Sequence, residues 1–80
     1  MGRYWAMDRD RRWERTKTAY DALVSGVAKH TPGIKQAIQE SYDAGVTDEF
    51  IHPAILLEGG QTPYTIRQND AVIFFNFRSD

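Results

Sequence analysis

The chain has 80 residues, with ten Lys and Arg against eleven Asp and Glu and no cysteine. A formal net charge of −1 excludes a general nucleic-acid coat, which would be strongly basic. The missing thiols exclude a disulfide scaffold, a cysteine zinc site and a thiol nucleophile. With 41% hydrophobic and 26% charged residues the balance is that of a small globular domain rather than a disordered chain, and no apolar run approaches the roughly 18–20 residues of a membrane span.

The charge is uneven. Residues 1–17 hold Arg3, Arg9, Arg11, Arg12, Arg15 and Lys17 against Asp8, Asp10 and Glu14. A local basic cluster in an otherwise acidic chain suits one small anionic ligand better than a polyanion. Aromatic residues Tyr4 and Trp5 follow Met1 almost at once, and the apolar run 71–77 is followed by only three residues. Domain termini are more often polar, so the chain reads as a segment of a longer protein.

Residues 3–9 read as irregular or short extended structure. A helix is predicted over about 10–25, with Trp13, Tyr20, Leu23, Val24 and Val27 on one apolar face. Asp10 is the expected N-cap and Gly26 the C-terminal stop. Residues 27–30 form a short connection. Thr31-Pro32 then predicts a second helix over about 32–44, with threonine as cap and proline at the first helical position. Its inner face is Ile34, Ala37, Ile38 and Tyr42, and Gly45 ends it.

Beyond Gly45 the period changes. A short strand is expected around 54–57, with Pro53 tolerated at its first residue or on an edge. Gly59-Gly60 makes a turn, residues 64–67 a brief second strand, and residues 68–70 another turn. The nearly unbroken apolar run 71–77 fits a central strand covered on both faces. The expected class is α/β: two amphipathic helices packed on a small, incomplete sheet that includes strand 71–77. An uncovered strand edge there predicts self-association of the segment.

Few residues offer chemistry. His30 and His52 each lack a second ligand at metal-binding spacing, and Ser25, Ser41 and Ser79 have no base close in sequence. No glycine-rich phosphate loop is present. Trp5 and Trp13 read as packing residues. The arginines remain: Arg3 and Arg9 lie six residues apart across an aromatic loop, and Arg78 directly follows the apolar strand. Ligands of α/β proteins gather outside the carboxyl ends of strands, where a guanidinium grips phosphate or carboxylate with a planar fork of donors. Two readings follow from the residues: part of an enzyme's substrate site, or a non-catalytic module for a small anionic metabolite or a protein partner.

Three segments carry a resemblance. "GRYWAMDRDRRWERTKTAYDALVSG" resembles the pattern G-R-[YF]-x-A-M-D-R-D-x-R-W-[ED]-R of the cofactor-independent phosphoglycerate mutases. "SYDAGVTDEFIHPAIL" and "NDAVIFFNFRSD" resemble two later segments of that family in the same order, so that the likeness spans essentially the whole chain. Ser79 departs from a common proline, and Trp5 from a common tyrosine or phenylalanine.

The resemblance implies a two-domain, cytoplasmic isomerase of glycolysis. It interconverts 3-phosphoglycerate and 2-phosphoglycerate through a phosphoserine. Residues 1–80 would be a single segment, the later part of the substrate-binding domain. By the same resemblance Arg3, Arg9, Arg78 and Asp80 are substrate-binding positions. The serine nucleophile and two manganese ions would lie in a phosphatase-like domain, so this segment would hold no cofactor, no metal and no catalytic residue, and would be inactive alone. The implied partner is phosphoglycerate, with no nucleic acid and no membrane, in a monomeric parent.

Overall fold

A computed structural model describes residues 1–57 and 62–78. Its architecture is α/β: three helices and a small parallel sheet. The first element is one helical turn, α1 (Arg3–Ala6), where the sequence predicts irregular structure. A four-residue helix has no periodicity to read, and it forms here because tertiary contacts hold both of its sides. The Gly2 N–H donates to the Ile51 carbonyl at 2.7 Å, and Trp5 Nε1 donates to the Phe50 carbonyl at 3.2 Å. The turn is thereby docked on a 3₁₀ turn at Asp48–Phe50.

Helix α2 (Trp13–Val24) occupies the predicted stretch but starts later, after an N-cap, Arg12, that makes no side-chain cap hydrogen bond. The Arg12 N–H itself donates to Asp8 Oδ2 at 2.9 Å, so Asp8 holds the approach to the helix and the expected cap at Asp10 is absent. Arg11 has φ +58°, which reverses the chain between Asp10 and the first helical turn. The buried side of α2 also differs from expectation. Ala19 and Ala22 are buried, whereas Tyr20, Leu23 and Trp13, the last 68% exposed, face outward. Small residues are what a close helix contact admits; the larger apolar side chains stay uncovered.

Strand β1 (Lys29–Thr31) replaces the expected connection and pairs in parallel with β2 (Ala54–Leu56), in the register Lys29↔Ala54, His30↔Ile55 and Thr31↔Leu56. Pro53 sits just before β2, so the ladder loses no donor. Thr31 is buried at the end of β1, and its hydroxyl donates to the Gly33 carbonyl at 3.5 Å. It therefore does not cap α3 (Ile34–Asp43), whose N-cap is Gly33. The predicted stop at Gly45 is present. Its N–H donates to Tyr42 O at 2.9 Å, and the Val46 N–H donates to Ser41 O at 2.9 Å. That paired closure requires a left-handed residue, and Gly45 has φ +79°. Lys29 bridges to Glu40 at 3.1 Å, tying β1 to α3. Hydrogen bonding from Gln36 first, then from Lys29, holds the Glu40 carboxyl below its ordinary value.

Two predicted strands are absent. Residues 64–67 lie along the end of α2, where the Ile66 N–H donates to the Leu23 carbonyl at 2.9 Å. Residues 71–77 do not join the sheet and are exposed throughout, Phe75 at 88%. The two existing strands have three residues each and offer too short an edge to pair with a seven-residue run. The turn at 68–70 is present, with Asn69 at φ +73° and the Arg67 N–H donating to Asp70 Oδ2 at 2.7 Å. The predicted Gly59-Gly60 turn lies outside the described residues.

The close approach at Gly2 gives a test. A Cβ added there would fall on the backbone carbonyls of Asp48 and Glu49. Gly2→Ala is expected to cost about 1–3 kcal/mol in thermal unfolding, by undocking α1. Gly33→Ala, with open space around its Cβ, serves as the near-neutral control. A second test concerns Tyr42, whose hydroxyl donates to Asp48 and thereby ties α3 to the 3₁₀ turn. That hydrogen bond raises the Tyr42 pKa above its ordinary 10.0. The folded value is raised, so the bond's stabilisation is complete below the ordinary tyrosine pKa and is lost as pH climbs through the folded one. In ultraviolet difference titration against Tyr42→Phe, Tyr42 should ionise late, and Asp48→Asn should return it to ordinary.

Candidate functional site

The three arginines singled out in the sequence come from both ends of the described chain. Arg3 stands at the start of α1, Arg9 in the loop between α1 and α2, and Arg78 at the end of the exposed run. The structure brings them to one cavity of about 340 Å³, lined also by Tyr4, Met7, Asp8, Asp10, Arg15 and Glu49. Asp80, the fourth, lies outside the described residues. The lining holds four arginines and three carboxylates, so one positive charge is in excess.

The arginines are not equivalent. Arg15 Nη1 lies 3.5 Å from Asp8 Oδ1, with the two side chains 18% and 2% exposed. Its guanidinium also sits 3.8 Å over the Tyr4 ring, an arrangement favoured by the ring's negative face. Arg15 is thus committed to the interior. Arg3 Nε pairs with Glu49 Oε1 at 3.4 Å, but both side chains are open to water, Glu49 at 47%. Such a pair is worth little in water and yields readily to an incoming anion. Arg9 and Arg78 are exposed.

Sequence reading missed Arg15 and Tyr4. The signal was present in Asp8, four residues before Arg12 and seven before Arg15. An acid at that distance reaches both the first free N–H and the first inward basic side chain of the helix. Aromatic packing supports Tyr4 from behind the cavity: Tyr4 meets Phe50 and Trp5 at ring separations of 5.2 Å each, and Trp5 meets His52 at 4.7 Å.

A second, larger groove of about 590 Å³ lies between α3 and the sheet. Its wall is mostly aliphatic, with Ile34, Ile38, Val46 and Leu56, and its charged groups Lys29 and Glu40 already pair with each other. It has the character of an uncovered packing face, and convergent polar groups single out the smaller cavity instead. Among the described residues no three His, Cys, Asp or Glu side chains converge on a metal-sized site.

Glu49→Gln should change thermal stability by less than about 0.5 kcal/mol. Arg15→Met should cost about 2–3 kcal/mol, because it strands the enclosed Asp8 carboxylate. Equal losses in the two variants would contradict this division of the arginines.

Over residues 1–80 the chain matches the family described as BPG-independent PGAM N-terminus (iPGM_N). It is 52% identical over 80 residues to the 2,3-bisphosphoglycerate-independent phosphoglycerate mutase of Moorella thermoacetica, covering 100% of this chain and 16% of that protein. It is 56% identical over 80 residues to the protein of the same name from Bacteroides fragilis, covering 100% of this chain and 15% of the relative. The corresponding protein of Thermomicrobium roseum is 55% identical, over 99% of this chain and 15% of its own length. The chain therefore spans less than one fifth of the curated relatives it matches.

Proposed function

Because this chain belongs to the BPG-independent phosphoglycerate mutase family, we propose that it is a substrate-binding segment of an isomerase that interconverts 3-phosphoglycerate and 2-phosphoglycerate. In this proposal Arg3, Arg9, Arg78 and Asp80 hold the substrate. The observation that carries this reading is the convergence of three arginines, from residues 3, 9 and 78, on one cavity. A volume of about 340 Å³ sits at the small end of the roughly 300–1,000 Å³ typical of small-molecule sites. It suits a three-carbon phosphate ester.

The chemistry favours arginine at these positions. Phosphoglycerate presents a carboxylate and a phosphate, two planar-edged groups that a guanidinium fork binds through paired N–H donors. Lysine offers charge without that geometry. The reaction moves a phosphoryl group between neighbouring hydroxyls of one molecule, so orientation of the glycerate is much of the catalytic task. Arg3 would exchange its exposed Glu49 partner for the substrate. Arg9 and Arg78 would close on the anion from the loop and from the far end of the chain. Arg15 would stay with Asp8.

The manganese ions and the serine nucleophile belong, in this proposal, to the remainder of the polypeptide. The same proposal places the protein in glycolysis and in the cytoplasm, as a monomer. Among the described residues no helix is long and apolar enough to cross a membrane.

The test uses the full-length protein. Arg3→Ala, Arg9→Ala and Arg78→Ala should each lower kcat/KM for 3-phosphoglycerate by about 100-fold or more. The matching lysine variants should recover only part of it, as expected for lost charge-assisted hydrogen bonds. Near-normal turnover in all three alanine variants would refute the assignment.

A further inference from the structure

Of the three carboxylates lining the arginine cavity, Asp8 alone is sealed from water. Its side chain is 2% exposed, against 47% for Glu49, and Asp10 is exposed. Its two oxygens are divided between two tasks. Oδ2 accepts the Arg12 backbone N–H at 2.9 Å, and Oδ1 accepts Arg15 Nη1 at 3.5 Å. The first contact closes the neck of the loop 8–12. The second reaches a guanidinium that lies 3.8 Å over Tyr4, the neighbour of Arg3 on α1. Arg9 rides on the closed loop, directly after Asp8. Inside that loop Arg11 has φ +58°, a conformation that costs a side-chain-bearing residue roughly 1 kcal/mol or more unless its surroundings impose it.

We propose that Asp8 is a positioning residue for Arg9: its enclosed carboxylate latches the loop 8–12 in its left-handed turn and, through Arg15 and Tyr4, fixes that loop to the turn bearing Arg3. The proposal rests on the reading of the cavity as the phosphoglycerate site. Asp8 does not touch the ligand. It sets the separation of two ligand-binding guanidiniums and neutralises the cavity's fourth, Arg15, so that the anion is shared by Arg3, Arg9 and Arg78. A carboxylate is suited to this because one group accepts two donors at once in a desolvated place. An amide keeps the N–H contact and loses the attraction for Arg15.

The test is a double-mutant cycle in the full-length protein, with 3-phosphoglycerate as the varied substrate. Asp8→Asn should raise KM about tenfold with kcat within about threefold of normal. Combined with Arg9→Ala, it should add no more than about a further twofold, because its effect passes through Arg9. Independent, multiplying effects, or a fall in kcat with KM unchanged, would overturn the role of Asp8 and leave the cavity assignment standing. An Arg9→Ala variant with normal kinetics would overturn this proposal, and normal kinetics in all three alanine variants would overturn the cavity assignment as well. Should Asp8→Asn fail to fold, Arg11→Val carries the test, since it leaves both donors to Asp8 in place and only penalises the left-handed turn at φ +58°. Its KM should rise, and that rise should vanish in the Arg9→Ala background; an unchanged KM overturns the proposal.

Discussion

A carboxylate removed from water needs donors within the protein to offset its desolvation. Asp8 meets that demand with one backbone N–H and one guanidinium, and the rest of the basic face is arranged around the solution. Because Arg15 is drawn inward to Asp8, it is withdrawn from the ligand-facing set. Because the Arg12 N–H is claimed by Asp8, α2 starts at Trp13 and the residues before it are folded into a tight loop. The uneven charge of the first 17 residues is therefore not one uniform patch. It divides into an interior pair that organises the site and surface arginines that face the cavity.

The same segment is anchored from its other side by aromatic packing. Tyr4 lies between Arg15 and Phe50, and Trp5 spans from Tyr4 to His52 while donating to the Phe50 carbonyl. These contacts bind residues 2–6 to residues 48–52, more than forty positions away in sequence. The close backbone approach at Gly2 makes that docking possible. Arg3 and Glu49 face each other across it, so the partner that Arg3 holds is set by the same packing that holds α1.

Much of this architecture was legible in the residues, and the failures have a common cause. Helix stops at Gly26 and Gly45 are local backbone requirements, and both glycines have positive φ. The strand after Pro53 and the turn at 68–70 were readable for the same reason. What the residues did not reveal depends on distant partners. The single turn α1 exists through its contacts with residues 48–51, the expected cap at Asp10 gave way to an Arg12 N-cap held by Asp8 after a reversal at Arg11, and Thr31 became a strand end because β2 lies beside it. The site was visible in part. Arg3, Arg9 and Arg78 stood out as arginines near plausible ligand positions, and the structure gathers them. Arg15 looked like one more charge on a helix until Asp8 and Tyr4 were seen around it.

The apolar run 71–77 shows where that logic extends beyond the 80 residues. Composition marks it as a segment meant for cover, yet Ile73, Phe74, Phe75 and Phe77 are all strongly exposed, as is the large apolar face of α2. The accessible area is 6625 Å², whereas compact monomers of this mass follow a scaling that gives about 4,900 Å². The exposed apolar side chains of this run contribute to that area, at a cost in water. The curated relatives devote most of their length to polypeptide outside the matched segment, so partners for these faces are to be sought there before any foreign protein. Arg78 sits at the end of this uncovered run.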